Sequence, residues 1–198
     1  RWLYTEDLGK DIGGSVGAGT ITNTDRTLTP KATVKNGKAS ISLILSDLEE
    51  VISNAKLEDG DIIIAPRVSG TVKSMEVSLS KEALKAIEKQ TDSSLTIKTP
   101  VGTITISNSV LDSIVSQAVG DTITIIVESV ETKSLSHAQQ DIVGDNAVFD
   151  ISIISGGKNI TSFDGKNITI SLPYTLKTGE KAADVKVWYM NDKGELEE

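Results

Sequence analysis

Ser74-Met75-Glu76-Val77-Ser78-Leu79 runs without a break into Ser80-Lys81-Glu82-Ala83-Leu84-Lys85-Ala86-Ile87. Apolar residues alternate as far as Leu79 and then recur at the spacing of about 3.6 that marks one face of a helix. The change falls at Ser80, a residue type that caps helix N-termini by accepting a backbone N–H. The stretch predicts a strand handing over to a short amphipathic helix. Two other stretches have the same form: Ser40 to Leu45 leads into Ser46-Asp47-Leu48-Glu49-Glu50-Val51-Ile52, and Thr103 to Asn108 leads into Ser109-Val110-Leu111-Asp112-Ser113-Ile114-Val115. Ser46 with Glu49, and Ser109 with Asp112, have the spacing of a capping box. The three serines lie 34 and 29 residues apart, and each helix leads into another β run, at Asp61 to Ala65, Ser94 to Lys98 and Thr122 to Val127. A strand-helix-strand unit repeated three times is the prediction.

Turn signals frame the units. Ser69-Gly70 and Thr99-Pro100-Val101-Gly102 separate them, so the last strand of one is expected to pair antiparallel with the first of the next. Asn36-Gly37, between Ala32 to Lys35 and Lys38 to Ile41, predicts a tight hairpin because both central positions tolerate positive φ. After Glu131 the pattern is purely β: Val148 to Ile154 alternates, Gly156-Gly157 turns the chain, Asn167 to Leu172 alternates again, and Lys186-Val187-Trp188-Tyr189-Met190 is a final strand. Glu195 to Glu198 starts a further strand whose partner is expected outside the sequence. The fold class is α+β, mainly β, with antiparallel or mixed sheets, three short helices in the repeated units and a C-terminal all-β portion. Residues 1–29, including Trp2, Leu3, Tyr4 and Gly13 to Gly19, read as a leader or linker. Residues 30–131 hold the repeats and residues 132–198 the β portion packed on them, as one domain or two subdomains. A chain opening on Arg1 is expected to be a mature or excised segment.

Composition agrees with a β-rich globule. Ile, Val and Thr number 23, 16 and 20, or 59 of 198 residues, and β-branched side chains fit pleated surfaces better than helices. With 38% apolar residues the chain can bury one sizeable core, and its moderate charge excludes intrinsic disorder. No apolar run reaches the roughly 18 residues of a membrane-spanning helix, so membrane insertion is not expected. Twenty Lys and Arg against 28 Asp and Glu leave a net charge of −8 with no basic stripe. Nucleic acid and anionic membrane are therefore not expected partners, because both are held by clustered cations.

The chemistry-bearing residues are sparse. Zero Cys removes disulfides and thiolate sites, and His137 is the sole histidine, so any His-based nucleophilic or acid–base device would have to use it. It lies in the polar stretch Ser134 to Gln140 and reads as a solvated loop or edge-strand residue. Gly13 to Gly19 lacks the Lys-Ser/Thr and the strand-to-helix placement of a phosphate cradle. Asn159-Ile160-Thr161 and Asn167-Ile168-Thr169 match the N-glycosylation pattern but lie beside turns, where Asn is expected anyway. Glu58-Asp59-Gly60-Asp61 and Asp141 to Asp145 offer oxygen ligands without EF-hand spacing. No cofactor is expected, with a structural calcium ion the alternative. Carboxylate pairs such as Glu49-Glu50 and Glu197-Glu198 read as solvated surface; a glycosidase pair needs only to meet in space, which keeps a wall-polymer hydrolase as a third alternative.

Thr99-Pro100-Val101-Gly102-Thr103-Ile104-Thr105-Ile106, Asp145 to Gly157 with its Phe149 alternation, and Ile170-Ser171-Leu172-Pro173-Tyr174-Thr175-Leu176-Lys177-Thr178-Gly179-Glu180 leading into Val187-Trp188-Tyr189 together resemble a module of secreted, multidomain surface proteins of Gram-positive bacteria, particularly clostridia, many of which carry S-layer homology repeats. The resemblance covers about residues 30–198. It implies an extracellular, cell-wall or S-layer location and a modular, non-catalytic role beside neighbouring modules, and it transfers no catalytic residue. The leading expectation is a rigid spacer or domain-presenting unit.

The competing expectation is a carbohydrate-binding module for cell-wall or plant polysaccharide, which needs outward aromatics. In the final strand Val185, Val187 and Tyr189 share one face and Lys186, Trp188 and Met190 the other. If the valine face is buried, Trp188 points outward as a stacking platform, aided by Tyr174 after Pro173; Trp2 and Tyr4 are weaker candidates of the same kind. An open strand edge near Glu198 makes an edge-strand dimer a further expectation.

Overall fold

The computed structural model of the chain describes residues 22–24, 26–57, 60–191 and 196–197. Two mixed six-stranded sheets form the body. The first is ordered β1 (Thr22–Thr24), β2 (Thr27–Thr29), β5 (Ile62–Ile64), β7 (Leu95–Thr99), β8 (Gly102–Ile106), β12 (Thr169–Ser171). The second is ordered β11 (Lys158–Asn159), β10 (Val148–Ser155), β9 (Thr122–Val130), β6 (Ser74–Ser80), β4 (Lys38–Leu43), β3 (Thr33–Lys35). The α+β class with strand-rich mixed sheets is as the periodicity predicts.

The three predicted helices form, as α1 (Leu45–Leu57), α2 (Lys81–Gln90) and α3 (Asn108–Gln117). Each carries the chain from one sheet to the other: β4 to β5, β6 to β7, β8 to β9. This corrects part of the expected pairing. Thr99 to Gly102 does turn β7 back on β8 as an antiparallel hairpin, but β5 and β6, on either side of Ser69-Gly70, lie in different sheets. Instead, like pairs with like: β4 lies parallel to β6 and β5 parallel to β7. A parallel neighbour needs a crossover, and the connections that make it contain α1 between β4 and β6 and α2 between β5 and β7.

These directions place all three helices at one end of both sheets. β9 runs antiparallel to β6 and β8 antiparallel to β7, so the strand ends entering and leaving α1, α2 and α3 coincide. Alternate residues of the strands, Ala39, Ile41 and Leu43 on β4 and Met75, Val77 and Leu79 on β6, are buried together with the helix stripes Leu48-Val51-Ile52, Leu84-Ile87 and Leu111-Ile114. α2 and α3 are tied at both ends. Lys81 Nζ donates to the Ala118 carbonyl at 2.7 Å, and Asn108 Nδ2 donates to the Glu88 and Thr91 carbonyls at 3.1 and 2.7 Å. Each contact satisfies carbonyls that a helix C-terminus leaves open, and Lys81 adds a cation where the helix dipole is negative.

Only one of the three expected serine caps forms as read. Ser80 accepts from Ala83 N–H at 3.2 Å. α1 begins at Leu45, ahead of Ser46, and Asp47 Oδ2 accepts from Ile44 N–H at 2.8 Å. α3 begins at Asn108 with Ser107 as its N-cap, so Ser109 lies inside the first turn. Neither predicted capping box is made, because Asp47 reaches back one turn and Asn108 is drawn to the end of α2. A capping box does form at Ser136 and Gln139, opening α4 (His137–Val143). That helix, with single 3₁₀ turns at Thr132–Ser134 and Ala182–Asp184, replaces the purely β reading after Glu131.

Both ends of the chain also depart from expectation. Thr22–Thr24 and Thr27–Thr29, read as the end of a leader, pair as β1 and β2, and Leu28 is fully buried. Trp2, Leu3, Tyr4 and Gly13 to Gly19 lie outside the described residues. The strong final strand is reduced to β13 (Tyr189–Met190), paired with β14 (Leu196–Glu197) in a ribbon separate from both sheets. The last strand thus finds its partner within the chain. Ile153, Ile160 and Ile170 from the C-terminal third join the same buried cluster as the repeats.

Candidate functional site

The end of the two sheets opposite α1, α2 and α3 carries the loops and the short connection through α4. There the β7–β8 turn, the start of β6, the end of β9, the start of β10 and the chain leaving β12 converge on an open cleft of about 440 Å³. Its apolar walls are Phe149, Pro100, Pro173 and the ring of Tyr174, and its polar rim includes Lys73, Ser129, Asp145 and Lys177. Phe149 and Tyr174 are half-buried; Lys73, Asp145 and Lys177 are exposed.

Tyr174 is held by its own loop. Its hydroxyl donates to Glu180, 2.9 and 2.8 Å from the two carboxylate oxygens, and Glu180 Oε2 also accepts from Lys177 N–H at 2.8 Å. Lys177 Nζ donates to Asn146 Oδ1 at 3.1 Å, which fastens the loop to the start of β10. The backbone N–H of Lys177, and then the Tyr174 hydroxyl, hold the Glu180 carboxyl below its ordinary value. The bond to Glu180 holds the Tyr174 phenol above its own.

Beside the cleft, Glu131 is clasped by two ammonium groups. Lys133 Nζ lies 2.6 Å from Oε2, and Lys73 Nζ bonds Oε1. The Lys133 bond first, then that of Lys73, lowers the Glu131 pKa to about 2. Lys133 is raised in return.

Of the two predicted stacking residues, the structure brings only Tyr174 to this cleft. Trp188 is outward, 45% exposed, but so are Val187 at 37% and Tyr189 at 51%. The condition behind the expectation, a buried valine face, therefore fails: the ribbon is a two-stranded sheet separate from the other two, and Val187 stays exposed. Lys186 Nζ sits over the Trp188 ring, 5.8 Å from its centroid, a cation–π distance. Sequence reasoning singled out Asp145 only as an oxygen ligand for an ion, and missed Phe149, Lys177, Glu131 and Glu180 as residues of a site. The alternation that placed Phe149 on the inner face was visible; its position at the open end depends on strand order.

The remaining candidates are dispersed. His137 is the exposed first residue of α4 and not a loop or edge-strand residue. Asp61 accepts from Thr96 Oγ1 at 3.2 Å, whereas Glu58 and Asp59 lie outside the described residues. Asp141 and Asp145 are exposed on and after α4. Among the described residues no three His, Asp or Glu side chains gather as metal ligands, and no helix is long and apolar enough to cross a membrane. Asn159 and Asn167 are both exposed beside turns.

No family model, no curated protein and no solved structure matches the chain.

Proposed function

We propose that the chain is a non-catalytic structural and interaction module of an extracellular cell-surface protein, associated with the cell wall or S-layer, where it holds neighbouring modules at a set distance and orientation. The observation that carries this reading is the continuity of its core. One buried cluster runs from Leu28 in β2 to Ile170 in β12 and takes in both sheets and α1 to α3. Interiors packed in this way have low compressibility and transmit displacement instead of absorbing it, which is the property a spacer needs. The perturbed ionisable groups support the same reading: Glu131 and Glu180 are each spent on intramolecular bonds that fasten loops. The location rests on the resemblance of the Thr99 to Ile106, Asp145 to Gly157 and Ile170 to Tyr189 stretches to surface-protein modules.

The test is small-angle scattering on the full-length surface protein. A spacer predicts defined distances between the modules flanking this one; a distribution matching freely jointed beads would remove the reading.

One observation favours a second reading, a carbohydrate-binding module: aromatic side chains are presented to solvent, with Trp188 on the ribbon and Tyr174 in the cleft. Retardation of the chain in polysaccharide gels is its test.

A further inference from the structure

We infer that the cleft at the end opposite α1 to α3 is a subsite for a neutral pyranose glycan, with Tyr174 as its stacking platform and Asp145 and Lys177 as its polar contacts. This rests on the carbohydrate-binding reading and assigns the place that reading leaves open. A pyranose has an apolar C–H face and a rim of hydroxyls that both donate and accept. The cleft offers the complement: the Tyr174 and Phe149 rings for the face, a carboxylate acceptor at Asp145 and an ammonium donor at Lys177 for the rim. Its volume of about 440 Å³ lies within the range of roughly 300–1,000 Å³ that suits small-ligand sites.

Preorganisation sets Tyr174 apart from Trp188. The Tyr174 hydroxyl is anchored on Glu180, and Glu180 on the Lys177 N–H. The ring is therefore fixed before a ligand arrives, and little side-chain entropy remains to be lost on binding. Trp188 lines no part of the cleft, and Lys186 already occupies a position over its ring.

Charge selects a neutral ligand. The Lys73 ammonium is bound by Glu131, and Asp145 stands on the same rim as Lys177. Among the described residues no uncompensated pair of cations lines the cleft, and the whole chain carries −8. A polyanion would meet net repulsion.

The experiment is native electrophoresis of the whole chain through gels containing hydroxyethylcellulose, arabinoxylan, galactomannan, glycol chitin or polygalacturonate. The expected result is retardation by at least one of the four neutral polymers. Tyr174→Ala should weaken the apparent affinity by about tenfold or more, as expected for loss of an aromatic contact with its buried area. Tyr174→Phe, which keeps the ring but loses its anchor on Glu180, should weaken binding less than Tyr174→Ala; Trp188→Ala should retain it, and Asp145→Ala should weaken it while leaving the Tyr174 loop intact. Retardation lost in Trp188→Ala but kept in Tyr174→Ala and Asp145→Ala overturns the site and leaves the carbohydrate reading standing. Retardation by polygalacturonate alone overturns the neutral class. No retardation in any gel removes both the reading and the inference.

Discussion

Ser113, 1% exposed in the middle of α3, donates its hydroxyl hydrogen bond to Asp164 Oδ2, 51 residues further along the chain. Asp164 and Gly165 form a turn with both φ positive, 54° and 74°, and Lys166 N–H closes it on the Phe163 carbonyl at 3.0 Å. Gln117 Nε2 on the Ser162 carbonyl and Lys166 Nζ on the Ser109 carbonyl, at 2.8 and 3.0 Å, complete a latch between this loop and α3. A hydroxyl buried among aliphatic side chains needs a partner, and the latch provides one. Ser113→Ala is expected to cost about 1.5–3 kcal/mol, the range for a hydrogen bond to a charged group, read from urea unfolding midpoints. Asp164→Asn should lose less. A Ser113→Ala variant as stable as the parent would show that the Gln117 and Lys166 bonds and the packing of Phe163 hold the loop without the Ser113–Asp164 bond.

Gly37 isolates a backbone effect. Its φ is +74° beside Asn36 at +52°, and a Cβ added there would meet no atom within 4 Å. Gly37→Ala can therefore act only through conformational strain in the left-handed region, expected at about 1–2 kcal/mol. Thermal unfolding checks the size, and preserved chemical-shift dispersion in β3 and β4 checks that the register is kept.

Tyr174 should titrate late. Its neutral phenol is the form that donates to Glu180, so its folded pKa lies above the ordinary value. The stabilisation from this proton is fully present below the unfolded pKa and disappears as pH rises through the folded one. Glu180 is depressed; its contribution is present above the unfolded pKa and disappears as pH falls through the folded one. The brace is intact between these two limits, across neutral pH. Absorbance titration of the phenolates should show a component above the usual tyrosine range that vanishes in Tyr174→Phe and shifts down in Glu180→Gln.

Glu131 should titrate near 2 at low ionic strength, with Lys133 as the first cause and Lys73 as the second. Because this carboxylate is solvent-exposed, its ion pairs are screened by salt. A carboxyl-carbon NMR titration should show its pKa climbing towards the ordinary glutamate value in 1 M salt, and also in Lys133→Met at low salt. A salt-insensitive value would mean that hydrogen-bond geometry alone holds it down.

Much of this fold is readable in the change of apolar period at Ser80 and its two counterparts, because both periodicities report a buried face directly. Asn36-Gly37 and Gly156-Gly157 likewise announce their turns through residues that accept positive φ. Pairing was less legible: Ser69-Gly70 resembles a hairpin turn locally, yet its flanking strands belong to different sheets, a matter settled by the parallel register of β4 with β6 and β5 with β7. Ser136-His137-Ala138-Gln139 did carry a capping-box signal for α4, masked by the β runs on either side. The cleft was half visible. Tyr174 stood out as an aromatic after Pro173, but Asp145, Phe149 and Lys177 meet it only because β10 begins where β12 ends, and local pattern contains no information on that.

Native-state hydrogen exchange tests the central claim, a rigid unit built on one core, most directly. Ile104 in the first sheet, Ile125 in the second and Ile87 in α2 are all buried to 1% exposure or less. If one core joins them, their amides exchange only through a common opening, with equal free energies and equal denaturant dependence. Separate, lower opening energies for the two sheets would contradict it.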